Sequence, residues 1–404
     1  MMPVTSVDVL VVGAGPAGAA AAYFAAGRGF ETLLVDAATF PRDKTCGDGL
    51  TPRAIHQLRT LRIDAASHYA SRGLKLHGFG GSVTAPWPDT MFGQIGSAMP
   101  RMELDAKLVQ HAREAGVQVW EGAAASDPQL SAGRVASIQV GSERVRCKHL
   151  IVADGVRSTL GKALGRQWHK NEVYGIAARS YCHTPRGAEP WIHSHLELRD
   201  EHGKVQPGYG WIFPLGGTMA NVGCGALSTT ARPAKINTKK LLGVYAAQQP
   251  DWEFGTPERV ASALLPMGGA VSGVAGPNWM LIGDAAACVN PLNGEGIDYG
   301  LETARLAADL LGAADYSALW PDQLRTHYGE AFLLARTLAR ALTYPQFLPV
   351  AGPLAFRGPF ANTIMQHAAR LMGNLVTDED RDLVSRLWRG AGHLIRGTIW
   401  GPLP

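Results

Sequence analysis

The feature that most constrains this chain is a glycine pattern close to its start. An apolar run at residues 7–12 leads directly into Gly13-Ala14-Gly15-Pro16-Ala17-Gly18. The run has no helical periodicity, which is typical of a buried parallel strand. In such a motif the first glycine permits a tight turn, the second lets the backbone approach a pyrophosphate, and the third lets a helix pack closely on the strand. The pattern therefore predicts the strand, turn and helix of a dinucleotide-binding fold.

The residues that follow extend this prediction. An alanine-rich helix at residues 17–26 would point its N-terminus at the phosphates. A second strand at residues 31–35 ends in Asp36, at the distance from the glycines where a carboxylate binds ribose hydroxyl groups and rejects a 2′-phosphate. The alternative, a glycine-rich turn that binds nothing, requires strand, glycines, helix and acid to fall in register by chance.

A second motif lies near residue 290. It consists of an aspartate after a buried apolar strand and a glycine-containing turn, and comprises Gly283, Asp284, Pro291, Gly294, Gly296 and Ile297. The Asp284 carboxylate can accept hydrogen bonds from ribityl hydroxyls. A helix that begins near Gly296 would aim its positive end at the N1–C2 region of a flavin. Together, the two motifs predict a bound flavin.

Composition sets the outer bounds. The 404 residues are 46% hydrophobic and 18% charged, with a net charge of +4, which predicts a globular protein of two or more domains. The mild positive charge does not indicate nucleic-acid binding and is compatible with an anionic membrane surface. The five cysteines form no CxxC pair, which predicts neither a disulfide framework nor a zinc site and favours a reduced, cytosolic setting. We expect no signal peptide ahead of the first strand and no bilayer-spanning segment.

Several motifs together resemble a known group of flavoproteins. The two glycine motifs and Ala153-Asp154-Gly155 resemble the para-hydroxybenzoate hydroxylase type. Residues 41–49 (PxxxxCGxG), and residues 209–214 (YxWxFP) followed by Gly223-Cys224-Gly225, resemble the geranylgeranyl reductase family of FAD flavoproteins. The runs at residues 46–54 and 264–271 are similar to its menaquinone-reducing branch. The resemblance covers nearly the whole chain.

The resemblance and the β-strand pattern imply an α/β fold in three regions. A Rossmann-like FAD-binding domain is predicted at residues 1–73, 99–170 and 276–318. A substrate domain with an inserted antiparallel sheet is predicted at residues 74–98 and 171–275. Residues 319–404 are predicted to form a helical C-terminal region.

The motifs and the resemblance assign cofactor contacts to residues spread along the chain. These are Gly13, Gly15, Pro16, Ala17, Gly18, Asp36, Cys46, Gly47, Gly49, Arg101, Ala123, Asp154, Asp284, Gly296 and Ile297. Arg101, at the start of a helix predicted at residues 100–116, is expected to neutralise the cofactor phosphates. The alternative for Arg101 is a solvated surface charge.

Cys46 is the candidate catalytic residue. The resemblance places it beside the flavin, on the side where substrate would lie. In one interpretation the thiol donates or relays the proton that completes alkene reduction. In the other it is a small apolar filler against the ring, since a thiol with the ordinary pKa of about 8.5 is a weak acid for this task. Asp48, Glu295 and Asp298 are further polar candidates, which the sequence leaves unranked.

Tyr209, Trp211 and Phe213 are the candidate substrate contacts. They alternate along one predicted strand and so share one face. Three aromatic side chains on one face suit the wall of an apolar tunnel for a polyprenyl chain, or ordinary sheet core; the family motif favours the tunnel. His193 and His195 also alternate, but without partners at metal-ligand spacing, so no metal site is predicted.

The expected function is FAD-dependent reduction of one isoprene double bond in the polyprenyl side chain of menaquinone, with an electron donor that the sequence does not identify. The alternatives are a geranylgeranyl reductase acting on another prenyl lipid or diphosphate, an FAD-dependent aromatic hydroxylase, and a lipid-escort protein without redox chemistry. The intact flavin motifs argue against the last.

The C-terminal region bears on location. Residues 332–342, 344–360, 387–389 and 393–400 mix aromatic and aliphatic residues with arginine. This composition suits an interfacial surface or a packed helical cap. We expect a peripheral protein on the cytoplasmic face of the cell membrane.

Overall fold

A computed structural model describes residues 5–376 and 399–401. Its strands, in chain order, are β1 (Thr5–Val12), β2 (Thr32–Val35), β3 (Gly49–Leu50), β4 (Gly73–Gly78), β5 (Gly81–Pro86), β6 (Ser97–Ala98), β7 (Gln118–Trp120), β8 (Ala125–Ser131), β9 (Arg134–Val140), β10 (Glu143–Val152), β11 (Gln167–Trp168), β12 (Tyr174–His183), β13 (Ile192–His195), β14 (Gly208–Pro214), β15 (Met219–Ser228), β16 (Glu258–Pro266), β17 (Val271–Ser272), β18 (Ala275–Gly276) and β19 (Trp279–Leu281).

The helices lie between and after these strands. They are α1 (Pro16–Gly27), α2 (Pro52–Thr60), α3 (Arg101–Glu114), α4 (Thr159–Ala163), α5 (Thr238–Ala247), α6 (Ile297–Asp309), α7 (Leu319–Leu342), α8 (Phe347–Arg357) and α9 (Ala361–Met372), with single 3₁₀ turns at Pro250–Trp252 and Gly283–Ala286. The described helices include none that is both long enough and apolar enough to cross a membrane.

The first sheet brings the cofactor motifs to one edge. Its main path runs β18-β19-β10-β1-β2-β7, and β1 pairs in parallel with both β2 and β10. Val12, at the end of β1, lies opposite Val35 of β2 and Val152 of β10, while Val152 lies opposite Leu281 of β19. Because parallel strands end at a common edge, the residues that follow these four strands meet there.

The second sheet has seven strands in the order β16-β12-β15-β14-β13-β4-β5. All neighbouring pairs are antiparallel except β13 with β4. Side chains of β14 alternate between its faces: Ile212 packs into a cluster with Tyr245 of α5, and Trp211 faces the first sheet's edge. The predicted α/β class with an inserted antiparallel sheet is confirmed in these two sheets, whereas the predicted domain boundaries stay a prediction.

Several predicted elements differ at their ends. The helix predicted to begin near Gly296 starts at Ile297 and ends at Asp309, because residues 290–296 form a hydrogen-bonded turn before it. The helix predicted at residues 100–116 covers Arg101–Glu114. In the C-terminal region three helices are described, while the aromatic and arginine segments at 387–389 and 393–398 lie outside the described residues.

The glycines of the first motif fix how closely α1 packs on β1. A Cβ atom on Gly18 would lie 1.7 Å from the carbonyl oxygen of Gly13, and one on Gly13 would lie 2.4 Å from that of Ala153. Gly13 also has φ +97°, which a residue with a side chain rarely adopts. The atoms in the way belong to backbone, so these contacts cannot be relieved by a rotamer change.

We expect Gly18→Ala to lower the free energy of unfolding by about 3 kcal/mol or more, the upper end of the range for overpacked sites. Urea unfolding of the purified protein measures this loss. Gly27→Ala is the matched control in the same helix, because nothing lies within 4 Å of its Cβ position. It should match or slightly exceed the unmutated protein in stability. Equal unfolding midpoints for the two variants would contradict this account of the packing.

Candidate active site

One large cavity of about 1260 Å³ lies between the edge of the first sheet and the inner face of the second. All of the predicted cofactor, substrate and catalytic residues line it except Gly18, which packs beneath it against Gly13. The cavity extends to the C-terminal helices, where its lining is apolar and includes Leu338, Leu342, Phe347, Leu348, Ile364, Leu371 and Met372.

The glycine turn forms one end of the cavity. Gly15 has ordinary extended backbone, with φ −71° and ψ −176°, and caps the N-terminus of α1. A Cβ atom there would meet only the guanidinium groups of Arg101 and Arg42, at 3.6 and 3.8 Å. Gly13, Pro16 and Ala17 line the same end. The first-turn amides of α1 and two cations thus surround a space that suits a pyrophosphate.

Arg101 is buried, so the surface-charge alternative is wrong. Its guanidinium donates to both carboxylate oxygens of Asp105, at 2.7 and 2.8 Å. Burial opposes its charge, but Asp105 outweighs that effect and raises the pKa of Arg101. Arg42 donates to the same carboxylate at 3.1 Å. The sequence analysis missed Arg42, although it lies within the PxxxxCGxG segment.

Asp36 follows β2 and faces the same end. Its two carboxylate oxygens accept the amide hydrogens of Ala14, at 2.7 Å, and Ala38, at 2.8 Å. Ala123 donates its amide to the backbone oxygen of Asp36 at 2.8 Å. These bonds hold the carboxylate at the strand end, where its remaining lone pairs are available to ribose hydroxyls.

The middle of the cavity carries acceptors. Asp154 accepts the amide hydrogen of Leu160 on Oδ2 at 2.9 Å, while its buried Oδ1 has no partner among the described residues. Burial raises the pKa of Asp154. Asp284 also lines the cavity, with Oδ1 only 3.2 Å from where a Cβ on Gly296 would lie. Gly296 and Ile297 begin α6 beside it. These acceptors suit a polyhydroxyl chain, so the residues present fit FAD.

The Asp48 carboxylate joins the Cys46 loop to the second sheet. It accepts hydrogen bonds from the Tyr181 hydroxyl at 2.6 Å, from Asn221 Nδ2 at 2.9 Å and from the Arg101 amide at 3.3 Å. Burial raises the pKa of Asp48 to about 6, and the Tyr181 and Asn221 bonds oppose that shift. Asn221 also donates to the backbone oxygen of Cys46 at 2.9 Å.

Cys46 lines the cavity next to this network. Burial raises the pKa of its thiol to about 11. The thiol is therefore protonated at neutral pH and holds its proton tightly. Lys44, two residues earlier, also lines the cavity, and burial lowers its pKa. Of the two interpretations of Cys46, this environment favours packing, while its catalytic role stays a prediction.

The three aromatic residues of β14 form one wall. Their ring centroids follow each other at 5.7 Å (Tyr209 to Trp211) and 6.1 Å (Trp211 to Phe213). Cβ atoms on Gly47 and Gly49 would lie 2.9 and 2.8 Å from the Phe213 ring, so both glycines are needed for the loop to pack on this wall. The tunnel-wall prediction is consistent with this arrangement, although its role in substrate binding stays a prediction.

We expect Gly15→Val to fold normally and to lose FAD. Its extended backbone accepts a β-branched residue, but the added methyl groups enter the space between the two guanidiniums. Deflavinated protein titrated with FAD and followed by flavin fluorescence should bind at least about 100-fold more weakly, a loss of about 2.7 kcal/mol. Gly27→Ala should bind FAD as the unmutated chain does. An unchanged affinity of the valine variant would remove Gly15 from the cofactor site.

Comparison with known proteins agrees with this geometry. The family model of the FAD binding domain matches residues 6–211. A menaquinone reductase of Mycobacterium tuberculosis is 54% identical over 398 residues, 97% of each chain. Digeranylgeranylglycerophospholipid reductase 1 of Methanopyrus kandleri is 28% identical and covers 83% of this chain and 90% of its own.

A solved structure shares the fold. The geranylgeranyl bacteriochlorophyll reductase-like protein of Thermoplasma acidophilum superposes with a TM-score of 0.74 at 21% identity, over 91% of this chain and 100% of its own. The fold of this chain thus belongs to a recurring architecture. The chain belongs to the menaquinone reductase family of FAD-binding flavoproteins.

Proposed function

We propose that this chain is an FAD-dependent oxidoreductase that reduces one isoprene double bond in the polyprenyl side chain of menaquinone. The observation that carries the proposal is the 54% identity to a menaquinone reductase across 97% of both chains. The cavity supports it, because a donor-rich end suited to FAD is continuous with a long apolar channel.

Different residues along this cavity contribute to different parts of the reaction. Reduced FAD, when bound, supplies a hydride. The Tyr209–Trp211–Phe213 wall offers flat apolar surface to a prenyl chain and excludes water from the reacting double bond. Tyr209 donates its hydroxyl to the backbone oxygen of Asn293 at 2.6 Å, and Trp211 donates to Asn221 at 2.9 Å, so two of the rings are fixed in place.

We further propose that the aliphatic mouth of the cavity opens at a membrane surface. Helices α7 to α9 contribute to the cavity lining. The same region exposes apolar side chains, among them Val350 and Leu354 of α8 and Phe360 just before α9, each about 67–70% exposed. An isoprenoid lipid is held in a bilayer, so exposed apolar residues on the helices that also line the cavity support direct entry from it. In this proposal the protein is peripheral, on the cytoplasmic face.

The electron donor is proposed to be a separate molecule or protein. The chain has one GxGxxG segment, which the FAD site uses, and no second one for a nicotinamide cofactor.

We expect a menaquinone-producing host that expresses this chain to accumulate menaquinone with two added hydrogens in one isoprene unit and an unchanged ring. Tandem mass spectrometry of the extracted lipids locates the reduced unit. Trp211→Ala should lower the yield or scatter the reduction over several units, since misplacing reacting atoms by about 1 Å can cost 10²-fold in rate. Reduced prenyl lipids beside unaltered quinone would move the assignment to another lipid substrate, and a hydroxylated product would move it to an aromatic hydroxylase.

We expect the protein to bind vesicles of mixed phosphatidylcholine and phosphatidylglycerol through α8. The double variant Val350→Asp, Leu354→Asp should bind at least about tenfold more weakly in flotation assays, because burying each aliphatic side chain contributes about 1.5–3 kcal/mol. Leu130→Asp is the matched control, an exposed leucine in β8 on the first sheet. If all three proteins float equally, the C-terminal helices are a structural cap.

A further inference from the structure

Glu295 is held in a fixed position in the cavity by several hydrogen bonds. The sequence alone could not rank it against Asp48 and Asp298. The Glu295 amide donates to Asn293 Oδ1 at 3.0 Å, its backbone oxygen accepts from the Asn290 amide at 2.8 Å, and its Oε1 accepts from the Ile297 amide at 3.1 Å. The turn before α6 therefore fixes both the backbone and the side chain. Glu295 is half-buried and lines the cavity.

The groups around Glu295 disfavour its negative charge. Cys46 approaches from the loop after β2, Tyr209 from β14, Asp284 from the 3₁₀ turn and Asp298 from α6. None of these is a cation. Burial, followed by the charge of Asp298, raises the pKa of Glu295 well above its ordinary value.

Asp298 is the partner that keeps its charge more readily. It accepts hydrogen bonds from the Thr51 hydroxyl at 3.1 Å, Asn374 Nδ2 at 2.7 Å and the Tyr299 amide at 2.7 Å, and the Arg53 charge also favours its carboxylate. Glu295 has only backbone donors. When the two carboxyls compete for one proton, Glu295 therefore takes it.

The other acidic groups near the cavity are less suited to give a proton to substrate. Asp48 has its carboxylate engaged by three donors from three elements. The Cys46 thiol holds its proton with a pKa of about 11. Asp298 is fully buried outside the cavity lining.

A small side cavity lies next to Glu295. It has a volume of about 40 Å³, enough to hold a water molecule, and Glu295 lines both this space and the main cavity. Its wall is mostly apolar and includes Thr51, Ser194 and Asn293 among its polar residues. Glu295 thus borders both the main cavity and a small neighbouring space that can hold water.

We propose that Glu295, held as a neutral carboxylic acid, donates the proton that completes alkene reduction. The inference rests on the proposed function. Saturation of one double bond consumes a hydride, which reduced FAD provides, and a proton. One alkene carbon receives the hydride, and the former π electron pair forms a C–H bond to the proton at the other carbon. The O–H bond of Glu295 breaks with its electrons left on the carboxylate, which then takes a proton from water.

The primary test compares Glu295→Gln with the unmutated holoprotein. Glutamine keeps the size and can accept from the Ile297 amide, but it has no proton to give. We expect FAD affinity to stay within about threefold and turnover to fall by about 10²–10⁴, the usual range for a general acid. The unmutated rate should fall as pH rises through the raised pKa of Glu295, and this limb should be missing from the variant's residual activity. Glu114→Gln, an exposed carboxylate on α3, is the matched control and should keep both rate and profile.

A second measurement does not depend on activity. A carboxyl whose pKa is higher in the folded than in the unfolded state contributes stability at low pH that is lost as pH rises from about 4.3 toward the folded pKa. Thermal unfolding of the holoprotein at a fixed FAD concentration should therefore show little difference between Glu295→Gln and the unmutated chain near pH 4, and a growing advantage of the variant toward neutral pH. A constant difference across this range would overturn the neutral-acid assignment.

The outcomes separate this inference from the proposed function. If the unmutated protein reduces no menaquinone side chain, the proposed function fails. If it does, and Glu295→Gln is equally active with the same pH profile, Glu295 is not the donor. Loss of the alkaline limb in Cys46→Ala, with full activity in Glu295→Gln, would assign the proton to the thiol instead.

Discussion

The cavity depends on one buried carboxylate. Asp48 lies in the loop after β2, and its three donors come from β12, β15 and the start of α3. Through Asn221, which bonds Asp48, the Cys46 backbone and the Trp211 ring, the same contact fixes the loop and the aromatic wall relative to each other. A buried acceptor left without these donors would cost about 1–3 kcal/mol for each unsatisfied group, so the two sheets are coupled where the reacting atoms meet.

The charge of the lining changes along the cavity. Arg42 and Arg101 stand at the glycine turn, where they and the N-terminus of α1 favour anions. Beyond Asp284 the groups become acidic and then neutral, and beyond the aromatic wall the lining is aliphatic. The phosphates, the hydroxyl groups and the ring of FAD, and then a lipid substrate beyond the ring, therefore meet matching surroundings in this order along the cavity. Near Glu295, burial and the neighbouring carboxylates of Asp298 and Asp284 disfavour its negative charge, which allows it to remain protonated.

Packing with little tolerance supports this arrangement. Gly47 and Gly49 leave room for the Phe213 ring, and Gly18 leaves room for the backbone of Gly13. A Cβ atom on any of these glycines would clash with the neighbouring atoms. These glycines all lie within the first 49 residues of the chain, and each supports the same cavity. Their shared requirement is space, since backbone here approaches either backbone or an aromatic ring.

The sequence by itself determined the first sheet and the cofactor end. The sequence identified residues 7–18, Asp36 and Asp284, because a strand, turn and helix with fixed spacing form a local pattern. The ends of parallel strands must also meet at one edge of the sheet. Only the tertiary structure decided the roles of Arg42, Asp48 and Glu295. Their chemistry depends on burial and on partners far away in the chain, such as Asp105, Tyr181 and Cys46, and neither depth nor long-range contact is written in local spacing.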